Sequence, residues 1–211
     1  VGTTGYGVNL LRGSKEQPLV DILIKHDVNI VEAAAYLQIT PNLVRYRLKG
    51  VKTDSKGNPL PRNKIIAKLS HPAVAKLFLS PPPQNIVEKL IAENLVTREE
   101  ALLAQKIPMA DDICVEADSG GHTDMGVQHI LVPAVINLRD ELCQKYGYSK
   151  KVRVGTGGGI GTPDAASAAF ILGADFIVTG SVNQCSVESG TSDLVKDMLQ
   201  DIGVRDTDYA P

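Results

Sequence analysis

The stretch Val152–Asn183, VRVGTGGGIGTPDAASAAFILGADFIVTGSVN, constrains this chain more than any other. Two short apolar strands, each ending in small residues, flank one Ala-rich helix. The first strand runs into Gly157-Gly158-Gly159 and the second into Gly180-Ser181. Such strand ends suit a phosphate, because only residues without bulky side chains let it approach the backbone N–H groups. In a (β/α)8 barrel the phosphate site commonly lies after strands 7 and 8. Thr162-Pro163-Asp164 opens the intervening helix with its own carboxylate, which would compete with a bound anion there. The phosphate is therefore expected on Gly158, Gly159, Gly180 and Ser181. Tight strand-to-helix turns without a ligand are the plain alternative.

Apolar runs alternate with helical patterns along the rest of the chain, which argues for a parallel α/β fold. Strands are expected near residues 8, 32, 67, 114, 154 and 177. A short amphipathic helix is expected over Leu19–His26, and Thr40-Pro41 reads as a hydroxyl cap followed by proline at the first helical position. The turn-rich segment Val51–Asn63 reads as a surface hairpin. Residues 70–110 are too long for a simple connection and read as a helical insertion at a barrel rim, where such excursions can act as lids. Within it, Thr97-Arg98-Glu99-Glu100 has the capping-box pattern. The longest helix is expected over Val127–Tyr146, and Ser186–Ile202 is expected to be helical in part. If the last two strands are strands 7 and 8, the chain carries strands 3 to 8 of a TIM barrel. The first two strands and a C-terminal part are then expected to be missing.

At 211 residues and 43% hydrophobic content, residues 1–211 suit one domain with a real core. The net charge of −2 exerts no global pull towards nucleic acid, and no apolar run is long enough to span a membrane. Cys114, Cys143 and Cys185 are odd in number and far apart, as expected of thiols in a reducing cytoplasm, and no metal site is readable. Charge is unevenly spread. Residues 45–76 hold nine Lys/Arg against the single acid Asp54. This is either a solvated basic face or a docking surface for an acidic partner.

Asp118-Ser119-Gly120-Gly121-His122 follows a strand at its C-terminal end, where barrel enzymes keep catalytic groups. His122 has the side chain for proton transfer near neutral pH, although a loop histidine satisfied by backbone is the plainer reading. His26, His71 and His129 lack such a setting. Asn9 and Lys68 fall at or near strand ends on the same rim, and a lysine there can oppose negative charge on a ligand.

Gly7-Val8-Asn9-Leu10, the run Val115 to Asp124 (VEADSGGHTD), Gly157-Gly158-Gly159-Ile160 and Gly180-Ser181-Val182-Asn183-Gln184 occur in that order. The set resembles the FMN-dependent nitronate monooxygenase and enoyl reductase family. The branch it most resembles is the PfaD-type trans-acting enoyl reductases of polyunsaturated fatty acid and polyketide synthases. Val44-Arg45-Tyr46-Arg47-Leu48 fits that branch too. The resemblance implies an eight-stranded barrel with FMN at its C-terminal mouth. Asn9 and Lys68 would face the flavin ring, and Asp118, Gly120 and Gly121 would lie against the cofactor. Gly158, Gly159, Gly180 and Ser181 would hold its phosphate, and His122 would be catalytic.

It further implies reduction of trans-2-enoyl thioesters on an acyl carrier protein with NAD(P)H as co-substrate. Arg45, Arg47, Lys49 and Lys52 are then candidate carrier contacts, and a homodimer is one option for the assembly. Nitronate oxidation with O2 and a non-catalytic barrel that binds a phosphate ligand are the competing readings.

Overall fold

The computed structural model describes residues 5–121 and 123–210, without the side chain of residue 204. In chain order the elements are β1 (Val8–Leu11), α1 (Glu16–Lys25), β2 (Ile30–Ala34), α2 (Pro41–Leu48), β3 (Lys52–Thr53), β4 (Pro59–Leu60), β5 (Lys64–Leu69), α3 (Pro72–Leu79), α4 (Gln84–Ala92), α5 (Arg98–Ala104), β6 (Asp112–Glu116), α6 (Gln128–Tyr146), β7 (Arg153–Gly157), α7 (Pro163–Ile171), β8 (Ile177–Val178), α8 (Ser181–Gln184) and α9 (Asp193–Asp201).

Six strands form one sheet in the order β1-β2-β5-β6-β7-β8, and every pairing is parallel. Each strand lies beside the next large strand in sequence, with no reversal of order. That is the connectivity of a barrel wall; a doubly wound sheet would reverse its order at a switch point. The sheet curls into a partial TIM barrel. All six strands expected from the apolar runs are present, and β3 pairs antiparallel with β4 as the expected surface hairpin.

The alternation of β5 explains how the sheet divides its two faces. Ile65, Ala67 and Leu69 are buried under the helices, whereas Ile66 and Lys68 are half-buried on the concave face. The main core lies between sheet and helices, with Val31, Ile65, Ile113 and Val154 against Leu43, Leu48, Phe78, Val132 and Leu142. Burying these side chains is worth about 1.5–3 kcal/mol each.

Local chemistry fixes the helix ends. Thr40 caps α2 by accepting from Leu43 N at 3.1 Å, with Pro41 in the first turn. The capping box at α5 is formed, and Glu100 also accepts from Gly50 N at 2.7 Å, tying that helix to the end of α2. His71 is structural, since its Nδ1 accepts from Ala73 N and caps α3. Helix α1 begins at Glu16, three residues before the expected start, because Pro18 falls in the first turn, where no amide partner is needed.

Residues 70–110 belong to the outer helical layer. Helix α3 packs on β5 and α6, while α4 and α5 pack on α2. Met109 N and Ala110 N return to the carbonyls of Ser80 and Phe78 and close the excursion. None of these residues lines the cleft at the strands' C-terminal ends.

The basic run at 45–76 is also rearranged by folding. Arg47 is 1% exposed and cannot meet a carrier protein. Its guanidinium donates to Pro108 O (3.0 Å), Asn63 O (2.8 Å) and Asp111 Oδ2 (2.5 Å). Arg45 is paired with Asp21 at 2.5 Å and Arg62 with Asp27 at 2.6 Å. Lys49 is half-buried, and Lys52 remains exposed on the hairpin. The expected four-residue docking patch is therefore not a patch: a run contiguous in sequence is split between a buried charge, surface pairs and a hairpin. No helix among the described residues is long and apolar enough to cross a membrane.

Candidate functional site

A cleft of about 730 Å³ opens at the C-terminal ends of the strands. Its floor follows from the alternation on the concave face. The register pairs Asn9 with Glu32 across β1 and β2, and Lys68 with Cys114 across β5 and β6. Paired residues in parallel strands point to the same side, so these four share the concave face, and Glu116 joins them two residues beyond Cys114. Lys68 Nζ lies 3.4 Å from Glu116 Oε1, and Asn9 Nδ2 donates to Glu32 Oε2 at 2.8 Å. Glu32, Lys68, Cys114 and Glu116 line the cleft; Asn9 stands one strand outside it and reaches it through Glu32.

Burial, reinforced by the carboxylate of Glu32, pushes the Cys114 thiol up to about 12. It therefore stays protonated and is no nucleophile near neutral pH. A thiol reagent at neutral pH should modify exposed Cys185 and leave Cys114 untouched until the protein unfolds, as peptide mass mapping would report. The unfolded thiol, with its ordinary value of 9.0, ionises before the folded one. The thiol's contribution to stability is thus fully present below about pH 9 and is lost between there and about pH 12. The urea midpoint should fall more steeply across that window in the wild type than in Cys114→Ala.

The other wall is the glycine loop after β7 together with the turn after β8. Gly157, Gly158, Gly159, Thr179, Gly180 and Ser181 all line the cleft. Thr162 caps α7 by accepting from Ala165 N at 3.2 Å, and Asp164 lies in that helix's first turn. The helix end is thus self-satisfied, and the free backbone is on the loop. Ser181 begins the short helix α8, with Gly180 at its cap.

Gly120 and Gly121, both at positive φ (70° and 65°), form the third side. The segment after α9 docks on them. Gly121 N donates to Asp208 O at 2.8 Å, Ala210 N donates to Gly121 O at 3.0 Å, and Tyr209 OH donates to Asp118 Oδ2 at 2.9 Å. Glycine suits position 120 because its φ is +70°, and a Cβ there would also lie 3.1 Å from Asp208 O and crowd the movable methyl of Thr207. Asp118 itself lies outside the cleft lining, and its carboxylate serves Tyr209 and Gly120 N.

Lys68, Gly120, Gly121, Gly158, Gly159, Gly180 and Ser181 are thus brought together in one cleft. His122 lies outside the described residues. Reading the sequence missed Glu32, Cys114 and Glu116, and also Ile202, Asp206 and Thr207, which line the cleft from the docking segment. Of these, Glu32 carried a signal, because it interrupts the apolar run Ile30–Ala34 at an alternating position. The docking segment carried none.

Fold and site together define a partial (β/α) barrel with a glycine-walled cleft at its C-terminal mouth. No family model matches the chain. It is 59% identical over 210 residues to the polyketide biosynthesis protein PksE of Bacillus subtilis, covering 98% of this chain and 27% of PksE. It is 46% identical over 212 residues to a polyunsaturated fatty acid synthase polypeptide of Thraustochytrium, covering 98% of this chain and 14% of that one. Among solved structures it superposes on the enoyl reductase domain of MlnA, from the macrolactin cluster of Bacillus amyloliquefaciens, with a TM-score of 0.92 and 44% identity. That match covers 98% of this chain and 47% of the other. The chain therefore spans about a quarter or less of these curated relatives and about half of that structure. The resemblance to the PfaD-type enoyl reductases of polyketide and polyunsaturated fatty acid synthases is borne out over essentially the whole chain.

Proposed function

We propose that this chain forms the cofactor-binding part of an FMN-dependent enoyl reductase that reduces trans-2-enoyl thioesters on an acyl carrier protein with NAD(P)H. The observation that carries the reading is a single cleft joining bare-backbone loops to one lysine, in a relative of an enoyl reductase domain. The residues fit the cofactor. A Cβ built on Gly121 or Gly180 meets nothing within 4 Å, so bare backbone faces open space on two sides of the cleft.

Gly158, Gly159, Gly180 and Ser181 would hold the phosphate through backbone N–H groups and one hydroxyl. Gly121 would let the ring lie against backbone. Lys68 would set its positive charge against an electron-rich ring, with Glu116 holding the ammonium in place and Asn9 fixing Glu32 beside it. His122 would give the proton that completes reduction at the α-carbon. When bound, FMN would supply the hydride chemistry, passing reducing equivalents from NAD(P)H to the β-carbon of the thioester.

The test uses the full-length protein. We expect flavin absorbance bands, and anaerobic NAD(P)H oxidation that depends on a crotonyl thioester. A colourless protein that takes up no FMN would favour the phosphate-ligand scaffold. Oxygen uptake with an alkyl nitronate, without thioester reduction, would favour nitronate oxidation.

A further inference from the structure

A second concavity, of about 170 Å³, lies at the opposite end of the sheet. It is bounded by Lys64 at the start of β5, by Asp111 just before β6 and by Val152 just before β7. The strands between it and the cleft have five or six residues, which at about 3.3 Å per residue separates the two by roughly 15–20 Å. A group held here takes no direct part in chemistry at the cleft.

Hydrogen bonds fix the base of the groove. Buried Arg47 ties together Asn63, Pro108 and Asp111 beneath it. Tyr148 OH donates to Leu79 O at 3.0 Å and fixes the ring that forms one side. Pro59, Leu60 and Pro61 contribute apolar surface, and Leu60 is 49% exposed on the β3–β4 hairpin.

Its rim is cationic. Lys64, Lys106, Lys150 and Lys151 are all exposed around it. Asp111 is the single carboxylate in the lining, and Arg47 already neutralises it at 2.5 Å. Lys151 pairs with Asp140 at 3.1 Å. Among the described residues Lys64, Lys106 and Lys150 have no carboxylate within 4.0 Å, so three uncompensated charges converge on one apolar slot from three separate segments. Only Lys64 comes from the basic run at 45–76; folding recruits the other two from residues 106 and 150.

We infer that this groove is a docking site for an acidic protein segment that also presents apolar side chains. Carboxylates would meet the lysine rim while one or two aliphatic groups cover Leu60 and the prolines beside it. Apolar contact at the base gives affinity, and the rim gives sign selectivity and faster encounter. The inference stands apart from the enoyl reductase reading, because nothing in it involves the cleft.

The experiment uses the full-length protein and a fluorescent peptide of Glu and Asp carrying two leucines. Controls are the same peptide without leucine, phosphatidylserine–phosphatidylcholine vesicles and a single-stranded DNA. We expect the leucine-bearing peptide to bind best. Lys64→Glu/Lys106→Glu/Lys150→Glu should weaken it by about tenfold or more, as loss of converging charge complementarity predicts. Lys64→Met/Lys106→Met, which adds no negative charge to the groove, should weaken it less and guards against misfolding of the reversed variant. Unchanged affinity in both variants would overturn the inference. So would equal binding of the leucine-free peptide, the vesicles or the DNA. Protection of these lysines from amine labelling in the full-length protein alone would also overturn it, since the groove would then be covered by the protein's own chain.

Discussion

Replacing Arg47 with methionine should lower stability by about 3–5 kcal/mol, the cost of leaving a partly buried charge without its partner. Asp111 is 15% exposed at its side chain and would lose its ion pair, while Asn63 O and Pro108 O would lose their donors. A urea titration of the full-length protein should show the loss as a lower midpoint with a similar slope. Arg45→Met is the internal comparison. Its pair with Asp21 is 48% exposed on the acid's side, so that change should cost about 0–1 kcal/mol. Equal losses at the two positions would sink the distinction between a buried tie and a surface pair. The two arginines are two residues apart in one helix, and only their facing separates them.

The second large effect is expected at Gly158. Its φ is +105°, and a Cβ built there would lie 2.2 Å from Ala117 O, backbone that cannot give way cheaply. Gly158→Ala should cost about 2–5 kcal/mol, combining backbone strain with overpacking. Gly180 makes the informative contrast. Its φ is negative (−119°) and the added Cβ meets nothing within 4 Å, so Gly180→Ala should lower the urea midpoint less than Gly158→Ala does. Gly180 nonetheless lines the cleft, and under the proposed phosphate grip the FMN affinity of the full-length protein should fall. A Gly180→Ala protein that folds and binds FMN as the wild type does would remove that turn from the proposed phosphate grip.

The contrast between these glycines also marks how much was legible in the sequence. The six parallel strands were, because each is a short apolar run bounded by turn residues, and the caps at Thr40, Thr97 and Thr162 were, because capping depends on residues three apart. The glycine-rich wall was legible for the same reason. The packing reason for glycine at 158 was not: it lies in the backbone of Ala117, a neighbour in space that no local pattern reveals. The cleft floor was half legible. Lys68 stood out as a charge near a strand end, but its partner Glu116 and the neighbouring pair of Asn9 and Glu32 depend on which strands lie side by side.

Charge was the least legible property. The run at 45–76 is basic by composition, yet folding buries Arg47, pairs Arg45 and Arg62, and leaves Lys64 to join Lys106 and Lys150. The sequence by itself determined the strand–helix alternation, the helix caps and the glycine segments that permit close approach to backbone, since all of these act over a few residues. Only the tertiary structure decided which charges are free, which glycines are needed for packing and which side chains share a face. Coulombic pairing and burial act through space, and parallel strands bring together residues that are tens of positions apart in the chain.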